Sequence, residues 1–80
     1  MSMAVEAATA KDAFAITASD STVIRADALY VGTGGDVAVI TQRGTTTTFP
    51  NVQDGSTLMI TCTKVMSTDT TASDIVGLLF

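Results

Sequence analysis

The sequence lacks most of the side chains on which protein chemistry usually depends. It contains no histidine and a single cysteine, Cys62. One thiol cannot form a disulfide within the chain, and without an imidazole no Cys/His metal cluster and no activated nucleophile can be assembled. We therefore predict no catalytic residues, no metal site and no cofactor, and we expect the lone thiol to stay reduced in a cytoplasm.

Positive charge is also scarce. The chain has four basic residues against eight acidic ones, and its formal net charge is -4. The basic residues are scattered along the sequence at Lys11, Arg25, Arg43 and Lys64. Because binding to nucleic-acid phosphates requires clustered cations, we expect no nucleic-acid partner.

Long apolar segments are missing as well. Thr, Asp, Gly or Lys interrupts every apolar run before it reaches the ~20 residues that a membrane helix needs. The start of the chain lacks the basic residues of a signal peptide and contains Glu6 and Asp12 instead. We therefore expect no membrane partner, and we expect the protein to be made in the cytoplasm.

What the sequence does contain is a large apolar fraction in a short chain. It has 80 residues, of which 46% are apolar. A domain of this size buries only about 60% of the surface that its unfolded chain exposes. Since neither disulfides nor metals can supplement the core, we expect the fold to be supported by association with other chains.

Short β-rich runs separated by turn residues follow one another through the chain. They predict an all-β fold, a small antiparallel β-sandwich or barrel of five to six short strands with an extended N-terminal arm. The most clearly marked strands lie at Leu29 to Val31, Val37 to Thr41, Thr45 to Phe49, Thr57 to Met66 and Ile75 to Phe80.

Two connections are predicted in more detail. The glycine-rich segment Gly32 to Asp36 supplies residues that tolerate positive φ, so we expect Leu29 to Thr41 to form a central hairpin. The turn Gln42 to Gly44 should return the chain so that Thr45 to Phe49 pairs with the preceding strand. We expect Pro50 to end that strand, because proline lacks the donor for a sheet hydrogen bond.

The first part of the chain differs in composition from the rest. We predict an N-terminal arm at residues 1–20, extended or disordered, followed by a β domain at residues 21–80. Within the arm, Ala13 to Thr17 alternates as a strand would, with Phe14 and Ile16 on one side. This pattern favours a strand added to another surface, so we predict Phe14 and Ile16 as contacts with a partner.

Several apolar side chains are candidates for contacts between subunits. The segment Ile75 to Phe80 is apolar on both faces, and we expect it to be covered by its own sheet or by a neighbouring subunit. The strand Thr57 to Met66 has mixed polarity, which is typical of a sheet with one face at an interface or in water. The predicted interface residues are Met59, Ile75, Leu78 and Phe80.

Other possible sites have weaker support in the sequence. The glycines at Gly32 to Gly35 lack the spacing of a phosphate loop, and Asp36 would repel an anion. The aspartates at Asp54 and from Asp69 to Asp74 lack the regular ligand spacing of a calcium loop. Four aromatic side chains within strands are too few for a platform that stacks bases or sugars.

The order of several longer segments resembles a known family. These segments are AFAITASDS at Ala13 to Ser21, ALYVGTGGDVAV at Ala28 to Val39, TTTTFPNVQDG at Thr45 to Gly55 and STDTTASDIVGLL at Ser67 to Leu79. In order and spacing they resemble the small spike-base proteins of tailed bacteriophages and of the phage-like gene transfer agents of alphaproteobacteria. The segment TLMITCTKV, with Lys64 as its one basic residue, and the segment Ser67 to Asp69 depart from that family's usual pattern.

The resemblance implies a non-enzymatic virion protein on the outside of a capsid, made in the cytoplasm of a bacterial host. It would act as the base of a head spike or as a decoration (cement) protein. The implied partners are the major capsid protein, further copies of the chain in a trimer or pentamer, and, for a spike base, a spike or fibre protein. The alternative is a soluble β-sandwich module that binds a carbohydrate or another ligand, and an enzyme ranks last.

Overall fold

The computed structural model describes residues 9–80 and confirms the all-β prediction. The described residues form seven strands and no helix, so no helix among them could cross a membrane. The strands are β1 (Asp12–Ile16), β2 (Ala28–Thr33), β3 (Gly35–Thr41), β4 (Thr46–Val52), β5 (Ser56–Leu58), β6 (Cys62–Val65) and β7 (Ser73–Leu79).

The strands are arranged in two antiparallel sheets. The four-stranded sheet has the order β1-β7-β2-β5, and the three-stranded sheet has the order β4-β3-β6. Alternate residues of each strand face the space between the sheets, as the period of two in a β-strand requires. The largest fully buried side chains come from both sheets and are Leu29, Val31, Val37, Val39 and Cys62.

The predicted hairpin from Leu29 to Thr41 is wrong. Both strands exist, but β2 pairs with β5 and β7, whereas β3 pairs with β4 and β6. The glycine-rich segment therefore carries the chain from one sheet to the other. Period-two patterns identify strands but do not state which strands pair, because both partners of a sandwich bury the same kind of side chain.

Close packing explains why glycine occupies position 34 at this crossing. A Cβ atom at Gly34 would overlap the carbonyl oxygen of Val52. The N–H of Gly34 donates a hydrogen bond to Oδ1 of Asp54 at 2.6 Å. The glycine thus lets the backbone approach a neighbouring strand, a use distinct from the tight hairpin turn that the sequence suggested.

The single long strand predicted for Thr57 to Met66 is also wrong. The chain leaves the four-stranded sheet after β5 and enters the three-stranded sheet at β6. Residues 59–61 make this crossing. No glycine or proline marks the crossing in TLMITCTKV, so the segment resembles one continuous strand.

The predicted pairing of Thr45 to Phe49 with the preceding strand is confirmed. Val37 pairs with Phe49, and the N–H of Gly44 closes the turn on the carbonyl of Thr41 at 2.9 Å. However, Pro50 does not end the strand, since β4 continues to Val52. The register shifts at this point and Asn51 adopts φ 58°, so proline sits at a β-bulge on an edge strand, where no sheet donor is required.

The last strand is covered by its own sheet. β7 lies between β1 and β2 and pairs with both along its length. This is one of the two coverings that we expected for the segment Ile75 to Phe80.

The strand predicted at Ala13 to Thr17 exists as β1, and it pairs with β7 of the same chain. The division into an arm at 1–20 and a domain at 21–80 stays a prediction, with β1 on the arm side of that boundary. Residues 1–8 of the predicted arm lie outside the described part of the chain.

An extended segment from Ser19 to Ala26 runs along the edge of β6. The N–H of Ser19 donates to Val65, and Ala26 forms an isolated bridge with Cys62. At its start, the Asp20 carboxylate accepts hydrogen bonds from the hydroxyl and, at 2.9 Å, from the N–H of Thr68. These bonds from Thr68 hold the pKa of the Asp20 carboxyl below its usual range.

Replacing Gly34 by alanine should destabilise the fold strongly. The added methyl group would overlap the Val52 carbonyl, and relieving this contact requires backbone movement. We expect the free energy of unfolding to fall by about 3 kcal/mol or more, measured by urea denaturation. Gly44→Ala is the matched control. No atom lies within 4 Å of the position that its Cβ would take, so the only unfavourable factor is the backbone φ of 89°, which costs about 1 kcal/mol. Equal losses in the two variants would contradict this account of the crossing.

Replacing Asp20 by asparagine should change the response of stability to acid. A carboxyl whose pKa is lowered by folding stabilises the protein above its unfolded pKa of about 4, and this contribution is lost as pH falls through the folded pKa. Asp20→Asn should therefore lower Tm at neutral pH and flatten the decline of Tm below about pH 4. An unaltered acid response in Asp20→Asn would contradict the role of this carboxylate.

Candidate functional site

The outward side of the four-stranded sheet is the main candidate for an interaction surface. Paired residues of antiparallel strands share a face, so the register of β1, β7, β2 and β5 identifies its members. Their neighbours along the strands, such as Leu29, Val31 and Ile75, point into the core. We call this surface the outer face, and it includes Ala13, Ala15, Tyr30, Thr57, Val76 and Leu78.

The outer face carries one charged side chain, that of Asp74, which lies opposite Gly32 at the start of β7. Tyr30 lies in its interior and is 40% exposed. Depletion of charge with an aromatic residue near the centre is typical of the core of a protein interface. The composition of the face therefore fits contact with another protein.

Two further apolar side chains extend the outer face at one end. Met59 directly follows β5 and is 70% exposed, and Phe80 directly follows β7 and is 43% exposed. The pairs Leu58–Leu29 and Ala28–Leu78 place both chain segments at the same end of the sheet. The N–H of Phe80 donates to Oδ2 of Asp27 at 3.1 Å, which fixes the chain end there.

The six residues predicted from the sequence as contacts fall into two groups. Met59, Leu78 and Phe80 lie on the outer face or at its end. Ile75 is 4% exposed and belongs to the core. Phe14 and Ile16 are half-buried on the inner side of β1, where they pack against the core. Their roles as contacts stay predictions.

Sequence reasoning missed Tyr30 and Val76 as members of this surface. The signal was present in the alternation of ALYV, in which Leu29 and Val31 alternate with Tyr30. Val76 pairs directly with Tyr30 across the two strands. The assumption of a hairpin drew attention to the glycines and away from the side of the strand that remains exposed.

Several side chains with reactive or acidic groups are buried or hydrogen-bonded within the fold. Cys62 is fully buried, and burial raises the pKa of its thiol, which keeps it in the unreactive protonated form. The carboxylates of Asp36 and Asp54 accept backbone N–H bonds from Asn51 and Gly34. Within residues 9–80 no group of three or more acidic, cysteine or histidine side chains lies close enough to hold a metal ion.

A shallow depression lies at the opposite sheet, next to the turn between β3 and β4. It encloses about 680 Å³ and is lined by Thr41, Gln42, Arg43, Thr45, Ile60 and Thr61. It has no aromatic side chain on which a sugar ring could stack. The depression therefore lacks the feature that the ligand-binding alternative requires.

Comparison with solved structures relates this fold to a virus-like particle. A chain of the structure described as "Capsid of native GTA particle computed with C5 symmetry" matches with 38% sequence identity and a TM-score of 0.79. The match covers 88% of this chain and 83% of that chain. The protein belongs to the same family as this capsid chain of a gene transfer agent (GTA). No model of a known protein family matches the sequence, and no curated protein matches it.

Membership of this family confirms part of the resemblance seen in the sequence. It relates the chain to phage-like capsid proteins over most of its length. The narrower assignment to spike-base proteins stays a proposal.

Proposed function

We propose that this protein is a non-enzymatic structural protein on the outside of the capsid of a tailed phage or a phage-like particle. The observation that carries the proposal is the 38% identity to a chain of the GTA capsid, over 88% of this chain. The protein acts there either as a decoration (cement) protein or as the base of a head spike. Its principal partner is the major capsid protein, and a spike base would also hold a spike or fibre protein.

The chemistry of the described residues supports a structural role. The single thiol is buried, and two of the aspartates that we considered as ligands are hydrogen-bonded within the fold, Asp54 to the N–H of Gly34 and Asp74 to the hydroxyl of Thr33. The depression at Arg43 is open and has no aromatic side chain in its lining, so the ligand-binding alternative has less support there. What the chain offers instead is a largely apolar surface on a small sandwich, with Asp74 as its one charged side chain.

Self-association through the outer face follows from its composition. A second acidic copy would be repelled by most of the surface, since the chain carries a net charge of -4. The outer face avoids this repulsion and exposes Tyr30, with Met59 and Phe80 at one end. We propose that it contributes to a ring-shaped trimer or pentamer, in which each copy contacts the next through two different patches.

The position of the protein on the particle tests the proposed function. In electron microscopy of the assembled particle, we expect density for the chain on the outer surface of the capsid. Copies at many local threefold sites would identify a cement protein, whereas copies at the fivefold vertices alone would identify a spike base. Absence from the particle, or a position inside the capsid, would contradict the proposal.

The apolar end of the outer face should contribute to self-association. Replacing Met59 and Phe80 together by serine removes two exposed apolar side chains without touching the core. Because burial of each such side chain contributes about 1.5–3 kcal/mol, we expect self-association to weaken at least about tenfold in light scattering.

Val23→Ser is the matched control for this variant. Val23 is 71% exposed and lies on the segment beside the three-stranded sheet, away from the outer face. Its replacement should leave the oligomer unchanged. An oligomer that survives the double replacement but dissociates in Val23→Ser would contradict this proposal. It would show that the copies contact one another beside the three-stranded sheet and not through the outer face.

A further inference from the structure

Each sheet has two edges, and the fold protects three of the four. The edge of β6 is covered by the segment Ser19 to Ala26. The edge of β4 carries Pro50 and a bulge, both of which discourage the addition of a strand. The edge strand β5 has three residues and offers little for pairing. These are devices by which proteins keep sheet edges from joining other chains.

The outer edge of β1 has none of these protections over most of its length. β1 pairs with β7 in an unbroken register of five residues, from Asp12 to Ile16. None of the described residues pairs with its other side. The strand contains neither proline nor glycine, and its one charged side chain, that of Asp12, lies at its start.

The direction of the backbone groups follows from the hydrogen bonds across the sheet. The N–H of Gly55 donates to the carbonyl of Val31, so the N–H and C=O groups of Val31 point toward β5. Those of the neighbouring residue, Tyr30, therefore point toward β7. Alternation across β7 and β1 then directs the N–H and C=O groups of Ala13 and Ala15 away from the sheet. The Asp12 carboxylate accepts the N–H of Ala13 at 2.9 Å, which agrees with this direction.

The side chains of β1 indicate what kind of strand would fit. Phe14 and Ile16 face inward and are only half-buried, because β1 ends the sheet. An added strand with apolar residues at alternate positions would cover them and lengthen the core. On the other side, Ala13 and Ala15 are small and present no obstacle to a neighbour.

We propose that the open edge of β1 accepts an extended segment of the capsid shell protein as a fifth strand of this sheet. The proposal rests on the proposed function, which supplies the shell as the partner. The segment would alternate apolar and polar residues and carry no net negative charge, since it approaches an acidic protein. Pairing of β1 with β1 of a second copy is disfavoured because it creates a twofold axis, which a threefold or fivefold ring does not contain.

Proline at Ala15 tests this edge without touching the pairing of β1 with β7. The N–H of Ala15 faces outward, so Ala15→Pro removes a donor only from the open edge. Thr48→Pro is the matched control on the other sheet. The bond from the N–H of Thr41 to the carbonyl of Thr45 shows that Thr45 and Thr47 face β3, so the N–H of Thr48 also faces outward.

The measurement is the number of copies per purified particle, with wild type and both variants assembled in the same host. Thermal unfolding confirms that each variant is folded, and Ala13→Pro replaces Ala15→Pro if the latter does not fold. We expect Ala15→Pro to reduce the copies per particle at least about tenfold and to keep the oligomeric state seen by light scattering. Thr48→Pro should remain at the wild-type level.

Three results would overturn the proposal. Full occupancy by both Ala15→Pro and Ala13→Pro would show that the β1 edge is not used, and would leave the proposed function intact. Loss of the oligomer in Ala15→Pro would assign the edge to contacts between copies. Absence of the wild-type protein from particles would contradict the proposed function itself, and with it the role of the edge.

Discussion

The packing of two small sheets around one aliphatic core is the constraint on which the rest of this structure depends. Leu29 and Val31 come from one sheet, and Val37, Val39 and Cys62 come from the other. To bring them together, the chain crosses between the sheets four times, at Gly34 and at residues 53–55, 59–61 and 66–72. The first crossing depends on the absence of a side chain at Gly34, because the backbone there nearly touches β4.

This construction also determines which surfaces are left for other proteins. Both large apolar side chains of β2 that face inward are fully buried, and the alternate residue Tyr30 is exposed on the opposite side of the sheet. The same holds for β7, where Ile75 lies in the core and Val76 does not. A sheet with a filled inner face and a largely apolar outer face has completed its own core and still offers apolar surface to a partner.

The sequence was sufficient to predict the fold class and most strand positions, because period-two alternation is a local property. It could not predict the pairing. Gly32 to Asp36 has the composition of a hairpin turn, and only the proximity of Val52 and Asp54 to Gly34 reveals the crossing. Similarly, TLMITCTKV contains neither glycine nor proline, and its division between two sheets depends on residues far away in the chain.

The candidate surface was predictable in part for the same reason. Met59, Leu78 and Phe80 were identified as apolar residues that the chain had to cover, and they lie together at one end of the outer face. Tyr30 was missed because its role depends on which side of β2 meets the second sheet. The covering of β7 by β1 also depends on a contact between the two ends of the chain, which no local pattern records.

The central claim is that the four-stranded sheet, through its outer face and its β1 edge, joins this protein to the particle. Amide hydrogen exchange of the free protein and of the particle-bound protein tests it directly. The account predicts new protection at Ala13 and Ala15 on the particle, with exchange at Thr46 and Thr48 unchanged. Protection gained on β4 with none gained on β1 would contradict it.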